Sequence, residues 1–143
     1  MTGVQTCALP ISPRHDRDYV IASDATDRTI ASILMQEDDN GVHRNVAYFS
    51  KKLLPNQQNW SVMEKEAYGI LASVIKWHNY VYGHKIVAIT DHRALEFLDS
   101  VAKHNSRIAR WKIIFNNYDI TTRYRRGQDH VNCDALSRIE IQN

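Results

Sequence analysis

The 143-residue sequence contains little cysteine, glycine or proline and no long apolar run. Its two cysteines, Cys7 and Cys133, form neither a disulfide framework nor a metal-ligand spacing, which favours a reducing compartment. With only 5 Gly and 3 Pro and with 24% charged residues, the chain is neither low-complexity nor disordered. No apolar run approaches the roughly 20 residues of a membrane-spanning helix. At 43% hydrophobic, the composition predicts one domain with a core of its own.

The sequence also lacks a strong excess of either charge. Lys and Arg number 18 and Asp and Glu 16, and a net charge of +2 does not by itself indicate a nucleic-acid partner. The distribution of the charged residues is more informative. The stretch 100–117 contains no acidic residue, and "RYRR" at 123–126 contains three arginines. Such stretches either follow a phosphate backbone or form solvated faces, and both interpretations stay open. The basic residues of 100–117 are Lys103, Arg107, Arg110 and Lys112.

The first twelve residues, "MTGVQTCALPIS", lack the basic start and long apolar core of a secretory signal. They resemble the translation of a short-read sequencing adapter. We therefore expect residues 1–16 to be a non-native or disordered leader. A single domain is expected at 17–140, with a short tail at 141–143.

Periodicity predicts an alternation of strands and helices. The "EDDNG" segment is a hairpin signal between the second and third strands. A helix begins at Ser61, where Glu64 completes a capping box, and its apolar stripe continues to about Tyr80. The order β-β-β-α-β-α-α-β-α predicts the α/β class, here a mixed α+β sheet with helices packed on its faces. The strands are expected at 19–23, 30–36, 42–50, 85–90 and 118–124, and the later helices at 92–100, 106–117 and 132–139.

Two predicted strands end on a carboxylate, Asp24 after "YVIAS" and Asp91 after "KIVAIT". Each acid alone has a structural interpretation: Asp91 as a helix cap, Asp24 as a turn residue, and Asp134 as an acid in the first turn of the last helix. On the helix from Ser61, Glu64 and Glu66 both flank the apolar stripe, so a helical wheel does not choose between them. The capping box occupies Glu64. Glu66 has no local partner and is therefore the candidate to point toward the strand ends.

Four segments, taken in order, resemble the ribonuclease H domain of Ty3/gypsy-type retrotransposon reverse-transcriptase polyproteins: "SDAT", "EKEAYGI", "ITDHRAL" and "GQDHVNCDALSR". Further landmarks of that family are "VAYFSKKL", "NWSVMEKE", "HNYVYGHK" and "ARWKIIFNNYDITTRYRRG", so the resemblance covers about residues 17–140. It implies a ribonuclease H-like fold, with a five-stranded mixed sheet and helices on both faces. The catalytic, metal-binding acids of the family carry over to Asp24, Glu66, Asp91 and Asp134.

The resemblance implies a metal-dependent endonuclease that hydrolyses the RNA strand of RNA–DNA hybrids during reverse transcription. Two Mg²⁺ or Mn²⁺ ions are the implied cofactors, and carboxylate oxygens suit both metals. Asp24 would bridge the ions, Glu66 and Asp91 would hold the ion near the leaving group, and Asp134 the ion near the nucleophile. Five basic residues are expected to contact the hybrid backbone, with solvated charges as the alternative: Lys51, Lys52, Arg123, Arg125 and Arg126.

The implied partners are an RNA–DNA hybrid and the reverse transcriptase polymerase of the parent polyprotein, an RNA-directed DNA polymerase. An intracellular retroelement particle is the implied location, and no membrane is expected. Two departures from the family pattern stand out: "TDRTIAS" replaces a glycine-rich turn after Asp24, and His130, whose role stays open, replaces an asparagine. The alternative is a catalytically inert module that binds hybrid or packs against the polymerase. The presence of all four acids favours the nuclease.

Overall fold

A computed structural model describes residues 10–126 of the chain. Within this range a five-stranded sheet has the strand order β3-β2-β1-β4-β5. β1, β2 and β3 pair antiparallel, whereas β4 pairs parallel to β1 and β5 parallel to β4. The predicted mixed sheet is confirmed, and the helix expected at 132–139 lies outside the described residues. The strands are β1 (Tyr19–Ala25), β2 (Thr29–Glu37), β3 (His43–Lys52), β4 (Lys85–Thr90) and β5 (Asp119–Tyr124).

The central strand β1 is buried on both faces, which explains its near-continuous apolar sequence. Side chains alternate along a strand, so Tyr19 and Ile21 enter the main core cluster while Val20 and Ala22 enter a smaller cluster on the other face. Among the described residues, helices contribute side chains only to the main cluster. The sheet therefore separates two apolar layers.

The hairpin between β2 and β3 forms at the predicted "EDDNG" segment. Gly41 has a φ of 78°, a left-handed conformation that glycine adopts without steric cost. The backbone N–H of Asp38 donates to the carbonyl of Val42 at 2.8 Å and closes the turn. The Asn-Gly signal thus predicted the position of this hairpin.

The helices are α1 (Val62–Lys76), α2 (His78–Val81), α3 (Leu98–Ala102) and α4 (Ser106–Phe115), with a 3₁₀ turn at Arg93–Phe97 before α3. The predicted capping box starts α1: the Ser61 hydroxyl accepts from Glu64 N–H at 3.2 Å, and Glu64 Oε1 accepts from Ser61 N–H at 3.0 Å. The predicted continuation to about Tyr80 is interrupted at Trp77 (φ −105°, ψ 25°). The buried Trp77 indole packs edge-on against Phe49, with ring centroids 5.2 Å apart. Core packing of this side chain therefore accompanies the break.

The chain that precedes β1 also contacts the sheet. Ile11 N–H donates to the carbonyl of Asn45 at 2.7 Å. Gln36 receives a hydrogen bond from Arg14 N–H and donates one to the Arg14 carbonyl, both at 2.8 Å. These contacts involve residues of the stretch 1–16, which was predicted from the sequence to be a leader.

No helix within residues 10–126 combines the length and apolarity needed to cross a bilayer.

Candidate active site

Three of the four predicted acids meet at one edge of the sheet. Asp24 lies near the end of β1, Asp91 directly follows β4, and these neighbouring strands are parallel, so both end at the same edge. Glu66 reaches this edge from the second turn of α1. One carboxylate oxygen from each of the three acids lies within 4.8 Å of the other two. Asp134 lies outside the described residues.

The local structural explanations for Asp24 and Asp91 are wrong. Asp24 belongs to β1 and pairs with Ala31, so it is not a turn residue. The residue that precedes the 3₁₀ turn is His92 rather than Asp91, and no side-chain hydrogen bond caps this turn. Neither a turn nor a helix cap therefore accounts for these two carboxylates, and both lie in the acidic cluster.

Glu66 is almost completely buried, at 3% exposure. Its Oε1 accepts a hydrogen bond from Ala25 N–H at 3.2 Å, but its buried Oε2 meets no hydrogen-bond donor among residues 10–126. Burial, followed by the charges of Asp91 and Asp24, raises the pKa of Glu66 from 4.5 to about 9. A buried carboxylate oxygen beside two other carboxylates is costly unless a proton or a cation accompanies it.

Glu64, two residues earlier on α1, has a different environment. Burial works to raise its pKa, but hydrogen bonds from Ser61, Asn105 and Arg107 hold the pKa of Glu64 below its ordinary value. Arg107 contacts Glu64 Oε2 at 3.0 Å. The capping assignment of Glu64 is confirmed, and Glu66 is the glutamate that lies in the cluster.

The donor atoms of the cluster fit a hard divalent cation. All three groups offer carboxylate oxygens, which Mg²⁺ and Mn²⁺ prefer. The buried Oε2 of Glu66 is the atom that most needs such a partner, because no donor among the described residues reaches it. Asp24, Glu66 and Asp91 are therefore the described residues able to hold a metal ion at this edge.

The turn between β1 and β2 lacks the glycines expected after Asp24 in this family. The Thr26 hydroxyl instead accepts hydrogen bonds from Thr29 N–H at 3.0 Å and Arg28 N–H at 3.3 Å. Thr26 N–H donates to the Thr29 carbonyl at 2.8 Å. Because no non-glycine residue within 10–126 has a positive φ, the side chain of Thr26 closes the turn without a left-handed residue.

The predicted basic contacts flank the acids along the same edge. Lys51 pairs with Ile30 at the start of β2, and Tyr124 pairs with Thr90 at the end of β4. β3 and β5 are the outer strands, so their carboxyl ends lie on opposite sides of the acids. Lys51 Nζ donates to the Tyr68 hydroxyl at 2.8 Å. The other predicted contacts, Lys52, Arg123, Arg125 and Arg126, are exposed.

A further cation near the acids, Arg93, was not predicted from the sequence. Arg93 is exposed and lies two residues after Asp91 in the chain. Its guanidinium lies 4.8 Å from the ring centroid of Tyr124. Arg93 is a single arginine outside the basic runs, and its place two residues after Asp91 in "TDHRAL" is the signal that the sequence contains. By contrast, Arg107 and Lys112 from the basic stretch 100–117 pair with acids of the protein itself, Lys112 with Asp99 at 2.9 Å. That stretch is partly neutralised within the fold.

The three tryptophans pack against other side chains of the protein. Trp77 is buried in the main core, and half-buried Trp60 and Trp111 form a cluster with Tyr68, with ring centroids 5.3 to 5.8 Å apart. Arg107 lies 4.6 Å from the Trp60 ring centroid, so one face of that indole is already occupied. All three indoles are therefore engaged in packing within the fold.

Comparisons with known proteins agree with this geometry. Residues 14–118 match the protein family described as the RNase H-like domain found in reverse transcriptase. The Pol polyprotein from transposon 412 of Drosophila melanogaster is 32% identical over 130 residues, which cover 91% of this chain and 10% of that protein. The Tf2-3 polyprotein of Schizosaccharomyces pombe is 32% identical over 127 residues, 86% of this chain and 10% of that protein. The chain thus spans about a tenth of the length of these relatives.

Solved structures show the same fold. The foamy viral protease-reverse transcriptase in complex with dsDNA has a TM-score of 0.68 at 15% identity, covering 82% of this chain and 25% of that one. RNase H1 from Halobacterium salinarum has a TM-score of 0.57 at 12% identity, covering 84% of this chain and 92% of that one. Because residues 14–118 match that family, the chain belongs to the RNase H-like domains found in reverse transcriptases, and its relatives are retrotransposon polyproteins.

Proposed function

We propose that this domain is a divalent-metal-dependent endonuclease that cuts the RNA strand of RNA–DNA hybrids. The observation that carries the proposal is the cluster of Asp24, Glu66 and Asp91, with carboxylate oxygens within 4.8 Å of one another where β1 and β4 end. A cluster of like charges is unfavourable without cations, and phosphodiester hydrolysis is a reaction that such cation sites perform. Asp134, proposed from sequence alone, is the fourth member.

Asp24, Glu66, Asp91 and Asp134 would hold two Mg²⁺ or Mn²⁺ ions. Bound at such a site, the ions supply an activated water and stabilise the leaving oxygen during attack on phosphorus. The protein's contribution is positioning. Asp24 lies in β1 and Asp91 directly follows β4, which is hydrogen-bonded to β1. The N–H of Ala25, at the end of β1, orients the Glu66 carboxylate that α1 brings to the cluster.

The proposed substrate lies across the sheet edge. From β3 to β5 the edge spans four interstrand spacings, roughly 19 Å, with Lys51 and Lys52 at one side of the acids and Arg125 at the other. Phosphates of a duplex centred on the acids would meet cations on both sides, and Arg93 joins them beside Asp91. The foamy viral protease-reverse transcriptase has also been solved in complex with an RNA/DNA hybrid, at a TM-score of 0.61. Its likeness supports a hybrid as the substrate class.

The proposed setting is a retrotransposon polyprotein that includes a reverse transcriptase polymerase and acts in an intracellular retroelement particle. The relatives are polyproteins of which the chain matches about a tenth. The family description places such domains in reverse transcriptases. The polymerase is therefore the proposed intramolecular partner of this domain.

The test is cleavage of a hybrid with separately labelled RNA and DNA strands by the full chain, with and without Mn²⁺. We expect Mn²⁺-dependent cutting of the RNA strand alone, reduced by about two orders of magnitude or more in Asp91→Asn because a metal ligand is lost. Asp119→Asn is the matched control, since exposed Asp119 begins β5 at the opposite edge of the sheet. It should cut normally.

Absence of cutting by a sample that circular dichroism shows to be folded would reject the nuclease. Hybrid binding by the same sample would then support the inert binding module. Equal loss of activity in Asp91→Asn and Asp119→Asn would also contradict the assignment, because it would indicate a general effect of removing a surface carboxylate.

A further inference from the structure

Lys65 is a buried cation in an unfavourable position. Its residue is 7% exposed and lies in the first turns of α1, where the positive end of the helix dipole disfavours a cation. Among residues 10–126 it forms no ion pair, and its ammonium donates to a backbone carbonyl. Burial of a cation without a carboxylate partner costs stability. A purely structural role would be better served by an apolar side chain at this position.

The carbonyl that Lys65 contacts belongs to the turn that follows Asp24. Lys65 Nζ donates to the Asp27 carbonyl at 3.1 Å. The next residue of α1, Glu66, accepts from Ala25 N–H at 3.2 Å. Two successive residues of one helix thus contact this segment, Glu66 as an acceptor at the end of β1 and Lys65 as a donor to the turn that follows.

We propose that Lys65 is a positioning residue that fixes Asp24 relative to Glu66 by attaching the β1–β2 turn to α1. The inference rests on the proposed function, because the geometry that it secures is that of a metal site. The internal hydrogen bonds of Thr26 shape the turn but do not attach it to the helix. Metal ligands must be held within about 0.5 Å of their working positions. Among residues 10–126, loss of the Lys65 contact leaves the Ala25–Glu66 hydrogen bond, at the end of β1, as the remaining hydrogen bond between residues 25–28 and α1.

The test measures Mn²⁺ binding by calorimetry on the full chain and on Lys65→Met. Loss of the attachment is expected to weaken Mn²⁺ binding by about 10- to 100-fold, the usual effect of removing a group that orients metal ligands. It should also accelerate amide exchange at residues 25–28, whereas thermal unfolding stays cooperative. The opposite sign is expected if Lys65 acts through charge alone, because removal of a nearby cation favours binding of Mn²⁺.

Two further variants make the test specific. Lys65→Arg keeps a long donor and should restore most of the Mn²⁺ affinity. Lys76→Met removes the same charge from the last turn of α1, roughly 16 Å away, and should bind Mn²⁺ normally. If Lys65→Met does not fold, Lys65→Gln replaces it, since the shorter amide falls short of the Asp27 carbonyl. Weaker binding by the Gln variant than by the Arg variant then supports the inference, and equal binding overturns it.

Unchanged or tighter Mn²⁺ binding by folded Lys65→Met would overturn the positioning role alone, provided that the unmodified chain binds Mn²⁺ and cuts the hybrid. An unmodified chain that binds no Mn²⁺ would overturn the positioning role together with the proposed nuclease.

Discussion

Glu64 and Glu66 have the same side chain, yet their surroundings shift the pKa of each carboxyl in opposite directions. Burial acts on both. Around Glu64, donors from Ser61, Asn105 and Arg107 compensate it and hold the pKa low. Around Glu66, the charges of Asp91 and Asp24 add to burial and raise the pKa to about 9. At the residue scale, the identity of the neighbours thus separates a structural acid from a candidate metal ligand.

The raised pKa of Glu66 predicts how the metal-free protein responds to pH. Between pH 4.5 and about 9 the folded state keeps a proton that the unfolded chain has released. The free energy of unfolding should therefore fall as pH rises through this window, by on the order of a few kcal/mol. This contribution is fully present below 4.5 and lost above about 9.

Urea unfolding in the presence of a chelator, at several pH values across this window, measures the slope. Glu66→Gln, which cannot ionise, should show a flatter profile than the unmodified chain. Identical profiles for the two proteins would show that Glu66 ionises normally in the folded state. Saturating Mn²⁺ should oppose the loss of stability, because the metal favours the ionised carboxylate.

At the element scale, small residues allow α1 to approach β1 and β2 closely. The Ser73 hydroxyl donates to the Ser32 hydroxyl at 2.6 Å. A Cβ atom added at Gly69 would clash with Ser23 Oγ, because it would lie closer than van der Waals contact allows. Its distance from Ser23 Cβ would be an ordinary 3.5 Å. Since Glu66 lies one turn earlier on the same helix, this approach also sets the depth at which its carboxylate meets the strand ends.

The close approach predicts that Gly69→Ala destabilises the protein although alanine favours helices. Overpacking costs about 1–3 kcal/mol, which offsets the roughly 1 kcal/mol that alanine gains over glycine in a helix. In the double variant with Ser23→Ala the clashing oxygen is gone and the gain in helix propensity remains. Ser23→Ala alone should be mild, because its buried hydroxyl contacts no hydrogen-bond partner among residues 10–126.

A double-mutant cycle by urea unfolding gives the interaction energy between the two positions. We expect Gly69→Ala to be the least stable of the four proteins and the double variant to recover to at least the level of Ser23→Ala. Strictly additive effects would mean that the helix and strand do not touch at this point.

At the scale of the whole molecule, the net charge is only +2, but the positions of the basic residues matter more than this sum. The carboxyl ends of the outer strands bring Lys52 and Arg125 to opposite sides of the acids, at one edge of the sheet. Arg107 and Lys112 are paired with acids within the fold. Exposed cations thus lie on both sides of the acids, where the proposed reaction takes place.

This distribution predicts the salt dependence of hybrid binding. Lys52→Ala and Arg125→Ala should each weaken binding and lower the slope of log affinity against log salt by about one. Lys85→Ala removes an exposed charge at the opposite end of β4, roughly 20 Å from Asp91, and should leave the slope unchanged.

Fluorescence anisotropy of a labelled hybrid, measured in a chelator so that no cutting occurs, gives these slopes. Equal slopes for all three variants would indicate that binding reflects net charge rather than this edge. A change confined to Lys52→Ala or to Arg125→Ala would limit the contact surface to one side of the acids.

Features that depend on residues close together in the chain could be predicted from the amino-acid sequence. The hairpin at Gly41 and the capping box of Ser61 and Glu64 were predicted because turn and cap preferences are local. The assignment of Glu66 followed from the same local reasoning, and the ordered motifs were sufficient to indicate the family. Asp134 lies outside the described residues, and its role stays a prediction.

Contacts between distant parts of the chain could not be predicted from the sequence and become visible in the folded domain. Lys65 and Asp27 are 38 residues apart, and Glu64 and Arg107 are 43 apart. No periodicity or propensity encodes such pairs, because they depend on how α1 and α4 pack against the sheet. The same holds for the stacking of Arg93 on Tyr124. The residues of the candidate site were thus readable one by one, whereas the contacts that position them arise from packing of the whole domain.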